Sequence, residues 1–183
     1  MDQTLHLKKI AALTPFDEAE SSHQRSILSF IERHHDFYKR TRVTGHITGS
    51  AWIINPARSH ALLLHHKKLD RWLQPGGHIE HEPDVLATAL REAREETGIT
   101  NLRVISDGIF DIDIHTIPAN RNEAEHQHYD IRYLLEAASD AIPAVSDEST
   151  DVRWFTLQEI AAINDDASIQ RMILKTVALR GGN

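Results

Sequence analysis

Residues 76–99 decide the fold, and they read GGHIEHEPDVLATALREAREETGI. Pro83 suits the first turn of a helix, because the N–H that proline lacks would have no partner there. Gly98 suits the position just after the last turn, where the backbone often turns left-handed. At about 100° per residue, the positions in between form one stripe of mostly apolar residues, made of Leu86, Leu90, Ala93 and Thr97. The stretch therefore predicts an amphipathic helix that starts near Pro83 and ends before Gly98.

Beside this stripe, Glu92, Glu95 and Glu96 share an adjoining face of the predicted helix. Like charges at these spacings repel one another and destabilise a helix. Hard divalent cations such as Mg²⁺ bind carboxylate oxygens, so binding of such an ion would explain why three mutually repelling acids lie together. The alternative is an ordinary solvated helix face on which acids cluster by accident. The preceding glycines, Gly76 and Gly77, allow a close backbone approach and could offer a carbonyl oxygen.

The spacing resembles the Nudix box, whose pattern runs G-x5-E-x7-R-E-apolar-x-E-E-x-G-apolar. Gly77 matches the opening glycine, and the second half is matched by Arg91, Glu92, Ala93, Glu95, Glu96, Gly98 and Ile99. Pro83 stands where the family has its first glutamate, with Glu82 before it and Asp84 after it. We expect this departure to affect the geometry of the loop, and through it the rate of the reaction, more than it affects metal binding.

The resemblance implies an α+β fold, a Nudix-like α/β/α sandwich with a mixed central sheet. It also implies a single domain over residues 1–183, with an N-terminal helical extension at 1–42 and a core at 43–183. Thr14-Pro15 predicts the start of an extra N-terminal helix, with Thr14 as its N-cap. An apolar stripe after Ser168, which is a candidate N-cap, predicts a C-terminal helix.

The resemblance further implies a Mg²⁺-dependent hydrolase, with Mn²⁺ as a substitute ion. Its substrate would be a small molecule in which a nucleoside diphosphate is linked to another group. Catalytic roles would fall to Arg91, Glu92 and Glu96. Metal ligands would be Glu92, Glu95, Glu96 and a backbone carbonyl of Gly76 or Gly77. In this scheme Glu92 also orients or deprotonates water, and Arg91 holds a carboxylate in place by ion pairing.

Histidine is unusually frequent, with 13 among 183 residues. In an extended segment His126, His128 and Asp130 would lie on one face, at a spacing that suits metal ligands or a phosphate pocket. The candidate substrate-binding residues are His78, His126, His128, Asp130 and Glu148. His46 and His115 are candidate neighbours of this group. The alternative is that these histidines make ordinary hydrogen bonds in the core or across strands.

Composition narrows the classes of partner. The chain has 27 acidic and 20 basic residues and a formal net charge of −7, which disfavours a nucleic-acid partner. It has no cysteine, which excludes disulfides and thiolate nucleophiles. We find neither a signal-peptide pattern nor a run of 18 or so apolar residues, so we expect a cytoplasmic protein without a membrane partner. The helices near the two ends could serve a homodimer interface.

Two other functions remain open at this point. An enzyme similar to isopentenyl diphosphate isomerase would use a metal bound by histidine and glutamate on the same fold. The histidines favour it, but the absence of cysteine, which that family uses in catalysis, argues against it. A nucleotide-binding sensor module without catalysis is favoured by Pro83. The intact Arg91-Glu92 and Glu95-Glu96 pairs argue against that second alternative.

Overall fold

The computed structural model describes residues 2–119, 121 and 123–181 of the chain. Its helices are α1 (Gln3–Ala12), α2 (Glu18–Arg33), α3 (Val85–Thr97), α4 (Leu157–Ile163) and α5 (Ala167–Gly181). Its strands are β1 (Gly45–Ile54), β2 (His60–His66), β3 (Arg71–Leu73), β4 (Gly76–His78), β5 (Arg103–Val104), β6 (Asp111–Ile117), β7 (His126–Glu136) and β8 (Ser149–Thr156). Within these described ranges, no helix combines the length and apolar character needed to cross a bilayer.

The N-terminal extension holds two helices, whereas the sequence predicts one. The N-cap of α2 is Asp17, whose Oδ1 accepts the N–H of Glu20 at 2.7 Å, so the prediction of Thr14 as the cap is wrong. An aspartate side chain at this position satisfies an N–H that the helix itself cannot. α1 escaped prediction because it buries His6 and Ile10 and little else, which leaves no recognisable apolar stripe.

Internal packing divides the chain into two compact units. The first comprises Met1–Ser50, Gly76–Ala89 and Ser106–Tyr133. The second comprises Ala51–Pro75, Leu90–Ile105 and Leu134–Asn183. Strands β1 and β7 and helix α3 each contribute their first part to the first unit and their last part to the second.

In the first unit, two antiparallel pairings set which side chains are neighbours. β4 pairs with β1 so that His78 lies opposite Thr48. β6 pairs with β7 so that His115 lies opposite His128. Because side chains alternate between the two faces of a strand, this register gathers the even-numbered positions of β7 on one face.

In the second unit, β2 pairs antiparallel with β1, β3 and β8, and β5 pairs with β7. Trp52 on β1 is fully buried and donates its indole N–H to the hydroxyl of Thr176 on α5 at 2.9 Å. This bond fastens the predicted C-terminal helix. The cap of that helix differs from prediction, because the carboxylate of Asp166 accepts the N–H of Ser168 at 2.8 Å.

A buried ion cluster joins β6 and β7. The guanidinium of Arg132 is 3% exposed and contacts three carboxylates, those of Asp130 at 2.8 Å, Asp111 at 3.1 Å and Asp113 at 3.4 Å. Burial alone would lower the pKa of Arg132, but these three acids raise it above its ordinary value. A buried charge is tolerated when it is paired and hydrogen-bonded in this way.

Helix α2 is part of the first unit and packs against its strands. The carboxylate of Glu20 is fully buried, and it accepts the N–H of Phe16 at 2.7 Å and that of Ile112 on β6 at 3.3 Å. The ring of Phe30 stacks on Tyr129 of β7 with centroids 4.0 Å apart. A buried carboxylate is costly unless hydrogen-bonded, so these contacts are needed for α2 to lie where it does.

Gly76 allows β4 to approach β1 closely. A Cβ at this position would lie 2.1 Å from the hydroxyl oxygen of Ser50 and 2.9 Å from its Cα. Real Cβ atoms essentially never come so close to another heavy atom, so a side chain here would push the strands apart. The glycine is thus a requirement of packing.

We expect Arg132→Met to destabilise the protein by about 3–5 kcal/mol, because it leaves three carboxylates around an apolar side chain. Chemical denaturation followed by circular dichroism measures this loss. The control is Arg25→Met, which removes an exposed pair with Glu18 and should cost at most about 1 kcal/mol. Equal effects of the two substitutions would contradict the importance of the buried cluster.

We expect Gly76→Ala to lower the free energy of unfolding by about 1–3 kcal/mol, the range for overpacking a tight site. Its control is Gly181→Ala, at a position where a Cβ meets nothing within 4 Å. Thermal and denaturant unfolding of both variants measures the difference. A Gly76→Ala protein as stable as the Gly181→Ala protein would show that the strands can separate without cost.

Candidate active site

The second half of α3 places an arginine between two carboxylates. Nη2 of Arg91 lies 2.9 Å from a carboxylate oxygen of Glu92, and Nη1 lies 2.7 Å from one of Glu95. A planar guanidinium with two donors in a fixed fork restricts the rotamers of both acids. The ion pairing that the resemblance implies for Arg91 is therefore present in the structure, with both carboxylates.

The carboxylate of Glu92 is strongly perturbed. Burial raises its pKa to about 7, and repulsion from Glu95 and Glu148 adds to that rise. The neighbouring guanidinium of Arg91 acts in the opposite direction without cancelling the effect of burial. A carboxylate crowded by other acids in this way is stabilised in its charged form by a nearby cation. The site is therefore chemically suited to a divalent metal ion with oxygen ligands.

The three glutamates of the box differ in their exposure. The side chain of Glu95 is 59% exposed, whereas that of Glu92 is 14% exposed. Glu96 is buried at 5% exposure. A solvated acidic face would leave all three side chains in water, so the burial of two argues against that alternative interpretation.

Glu148 lies in the same unit, directly before β8. Its backbone carbonyl accepts the N–H of Lys67 at 3.0 Å, which fixes the loop to the end of β2. Its charge acts on both Glu92 and His66, raising the pKa of each, although burial leaves the pKa of His66 below its ordinary value. The resemblance to the Nudix family also implies an additional acid, a further glutamate from a distant loop that serves as general base or extra ligand, and the sequence does not choose among Glu123, Glu125 and Glu148 for it.

The start of the box differs from the prediction. α3 begins at Val85, and the carboxylate of Asp84 accepts the N–H of Ala87 at 2.9 Å as its cap. Pro83 therefore precedes the helix and does not lie in its first turn. Glu82 accepts the N–H of Glu80 at 2.8 Å, which directs its carboxylate back to its own loop. The end of the helix is as predicted, since Gly98 has a positive φ of 69°.

The remaining predicted residues lie in the first unit. Gly76, Gly77 and His78 form β4, and His126, His128 and Asp130 share one face of β7. Both oxygens of Asp130 are engaged inside the protein. One accepts hydrogen bonds from Thr48 at 2.9 Å and Ser50 at 2.7 Å, and the other accepts one from Arg132 at 2.8 Å.

Sequence reasoning missed the partners of that face. Arg132 continues the alternation of His126, His128 and Asp130, so the pattern could have marked it. Asp111 and Asp113 show the same spacing on β6. Which strand pairs with which is a long-range property, however, and one sequence does not give it.

Five imidazole rings of the first unit form a compact group. The ring centroids of His46 and His78 lie 4.9 Å apart, and those of His46 and His128 also lie 4.9 Å apart. His126 lies 5.1 Å from His128, and His115 lies 5.5 Å from it. His46 and His115, which the sequence suggests as neighbours, are thus members of the same cluster.

Comparison with known proteins identifies relatives of similar fold. A probable DHNTP pyrophosphohydrolase of Lactococcus lactis subsp. cremoris is 40% identical over 75 residues, which are 40% of this chain and 44% of that protein. The match thus spans less than half the length of the relative. A C. elegans Ap4A hydrolase binary complex superposes with a TM-score of 0.60 at 22% identity, covering 75% of this chain and 98% of that one.

The E. coli dihydroneopterin triphosphate pyrophosphohydrolase gives a TM-score of 0.56 at 16% identity and covers 73% of this chain and 95% of that one. At such identities the likeness shows the fold, and the predicted α+β fold with a mixed sheet is confirmed. A family model described as NUDIX domain matches residues 45–176, which include the helix with the three glutamates. The chain therefore belongs to the NUDIX family.

Proposed function

We propose that this protein is a divalent-metal-dependent hydrolase that cleaves a diphosphate linkage in a nucleoside diphosphate joined to another group. The observation that carries the proposal is the carboxylate of Glu92. Its side chain is 14% exposed, partial burial raises its pKa to about 7, and it lies among the charges of Glu95, Glu148 and Arg91. Perturbed groups of this kind are frequent at catalytic sites. Membership of the NUDIX family supports the same proposal.

Glu92, Glu95 and Glu96 would hold Mg²⁺, or Mn²⁺ in its place, because their oxygens are the ligands that hard cations prefer. When bound, such an ion neutralises the negative charge of a diphosphate and makes water more acidic. With a net charge of −7, the chain has an excess of acids that by itself repels an anionic substrate. The backbone carbonyls of Gly76 and Gly77 stay predicted ligands.

The residues of the chain have separate tasks in this proposal. Arg91 holds Glu92 and Glu95 in fixed rotamers through its two ion pairs. The Glu92 carboxylate orients or deprotonates water, the role that the resemblance to the family implies for it. Glu148 acts on the charge of Glu92 and is the candidate for the additional acid.

The names of two structural neighbours support a proposal for the substrate class. One is named as an Ap4A hydrolase and the other as a dihydroneopterin triphosphate pyrophosphohydrolase, and both of these compounds contain linked phosphates. We therefore propose a nucleotide-like polyphosphate for this chain. The substrate contacts of His78, His126, His128 and Asp130, the cytoplasmic location, the homodimer and the lack of a nucleic-acid partner stay predictions.

A substrate panel tests the activity. We expect Mg²⁺-dependent release of phosphate-containing products from at least one of ADP-ribose, Ap4A and dihydroneopterin triphosphate. Glu92→Gln and Glu96→Gln should each lower kcat by about 100-fold or more, because they remove a group that handles protons or charge in the reaction. Glu32→Gln, at an exposed position of α2, is the matched control and should retain full activity.

Turnover that survives both substitutions would place the chemistry elsewhere in the protein. Binding of these compounds without any turnover, with either Mg²⁺ or Mn²⁺, would instead support the sensor module that Pro83 favours.

We expect Arg91→Met to lower activity by about 10–100-fold, the usual cost of losing a group that positions metal ligands. The concentration of Mg²⁺ that gives half-maximal rate should rise as well, since Glu92 and Glu95 lose the partner that orients them. The control is Arg94→Met on the exposed side of the same helix. If the two variants show the same rate and Mg²⁺ requirement, Arg91 does not position the site.

A further inference from the structure

Three histidines from three different strands converge in the first unit. His46 on β1, His78 on β4 and His128 on β7 each offer one ring nitrogen, and these three nitrogens all lie within 4.8 Å of one another. The ring centroids of His78 and His128 are 5.1 Å apart, with the rings at 89°. Rings that meet at such an angle can direct their nitrogens to one common point between them.

His46 is the most informative member of this cluster. It is 1% exposed, and neither of its ring nitrogens has a hydrogen-bond partner among the residues that the structure describes. Buried polar atoms are almost always hydrogen-bonded, and an exception calls for an explanation such as an ion. An ion between the three rings would give a partner to one of the two nitrogens.

The surroundings of His46 and His128 favour the uncharged form of both rings. Burial lowers the pKa of His46 to about 4 and also lowers that of His128, and the other imidazoles add to both shifts. Neutral imidazole is the form that binds metal ions through its lone pair. The neighbouring charges are balanced, since Arg40 pairs with Glu123 at 2.7 Å.

A fourth imidazole lies beside the three. Nδ1 of His126 is 2.8 Å from the carbonyl of Ala124, to which it must donate because a carbonyl can only accept. In the neutral ring, Nε2 of His126 then carries a lone pair, and it accepts a hydrogen bond from Nε2 of His128 at 3.3 Å, which a bound ion would replace. Two nitrogen ligands of a tetrahedral ion with Zn–N bonds of about 2.0–2.1 Å are about 3.3 Å apart. A backbone carbonyl that fixes the tautomer is also the usual outer partner of a metal-bound histidine.

The ligand chemistry selects the class of ion. Imidazole nitrogens suit Zn²⁺ and similar transition metals, whereas Mg²⁺ and Ca²⁺ prefer oxygens. The nearby carboxylate of Asp130 is already occupied by Thr48, Ser50 and Arg132. Of the four imidazoles, His126 also lines an open cavity, together with residues 40–43, 123 and 124.

We propose that His46, His78 and His128, with His126 beside them, bind a zinc-class transition-metal ion. This site consists of imidazoles from the first unit alone, and it does not rest on the proposed hydrolase activity. The ion would link β1, β4 and β7.

Calorimetric titration of the chelator-treated full chain with Zn²⁺, in excess Mg²⁺ to occupy carboxylate sites, tests this proposal. We expect a single tight site. His78→Gln and His128→Gln should each weaken Zn²⁺ binding by more than about 100-fold, since even outer partners of metal ligands are worth 10–100-fold. His81→Gln, an exposed histidine three residues from His78, should leave the affinity unchanged.

Full affinity in both cluster variants, or no tight Zn²⁺ binding by the unaltered chain, would overturn the proposal. Circular dichroism checks that the variants are folded. X-ray absorption at the zinc edge of the unaltered chain gives a second test that needs no substitution. Scattering from at least three imidazoles supports the site, and a shell made of oxygens alone overturns it.

Discussion

The buried guanidinium of Arg132 is the constraint on which the first unit depends. A charge that is 3% exposed must be surrounded by partners, and its three carboxylates come from the two paired strands β6 and β7. The cluster therefore fixes the register of those strands. Through Asp130, which also accepts bonds from Thr48 and Ser50, it reaches β1 as well. The placement of the imidazoles follows from that register, because every second residue of β7 must then lie on the same face.

Local features of the sequence predicted the box helix and its chemistry. A helix that ends at Gly98 and a face that carries three glutamates follow from spacing alone, since both depend on residues close together in the chain. The low exposure of Glu92 could not be predicted in this way. It depends on which elements pack around the helix, and so does the pKa that makes this carboxylate distinctive.

The errors of prediction have physical causes too. Thr14 and Asp17 are both capable caps, and the choice between them rests on the buried partners of Glu20, which one sequence does not show. Proline is compatible both with the first turn of a helix and with the position before it. The carboxylate of Asp84 caps α3, so the helix begins at Val85 and Pro83 precedes it. The cluster around His46 needs three strands to meet. The spacing of every second residue on β7 predicts only the histidines that this strand contributes.

The contact between α2 and β6 has a consequence for where the chain can be truncated. In the described residues, β6 pairs with β7 along one edge. The carboxylate of Glu20 on α2 accepts the backbone N–H of Ile112 on β6. An uncovered outer strand is a template for joining other chains. Trimming the protein to the residues shared with its family would strip that cover and invite aggregation. The N-terminal extension therefore covers part of the outer edge of β6, and a chain that begins at the family match would lose this cover.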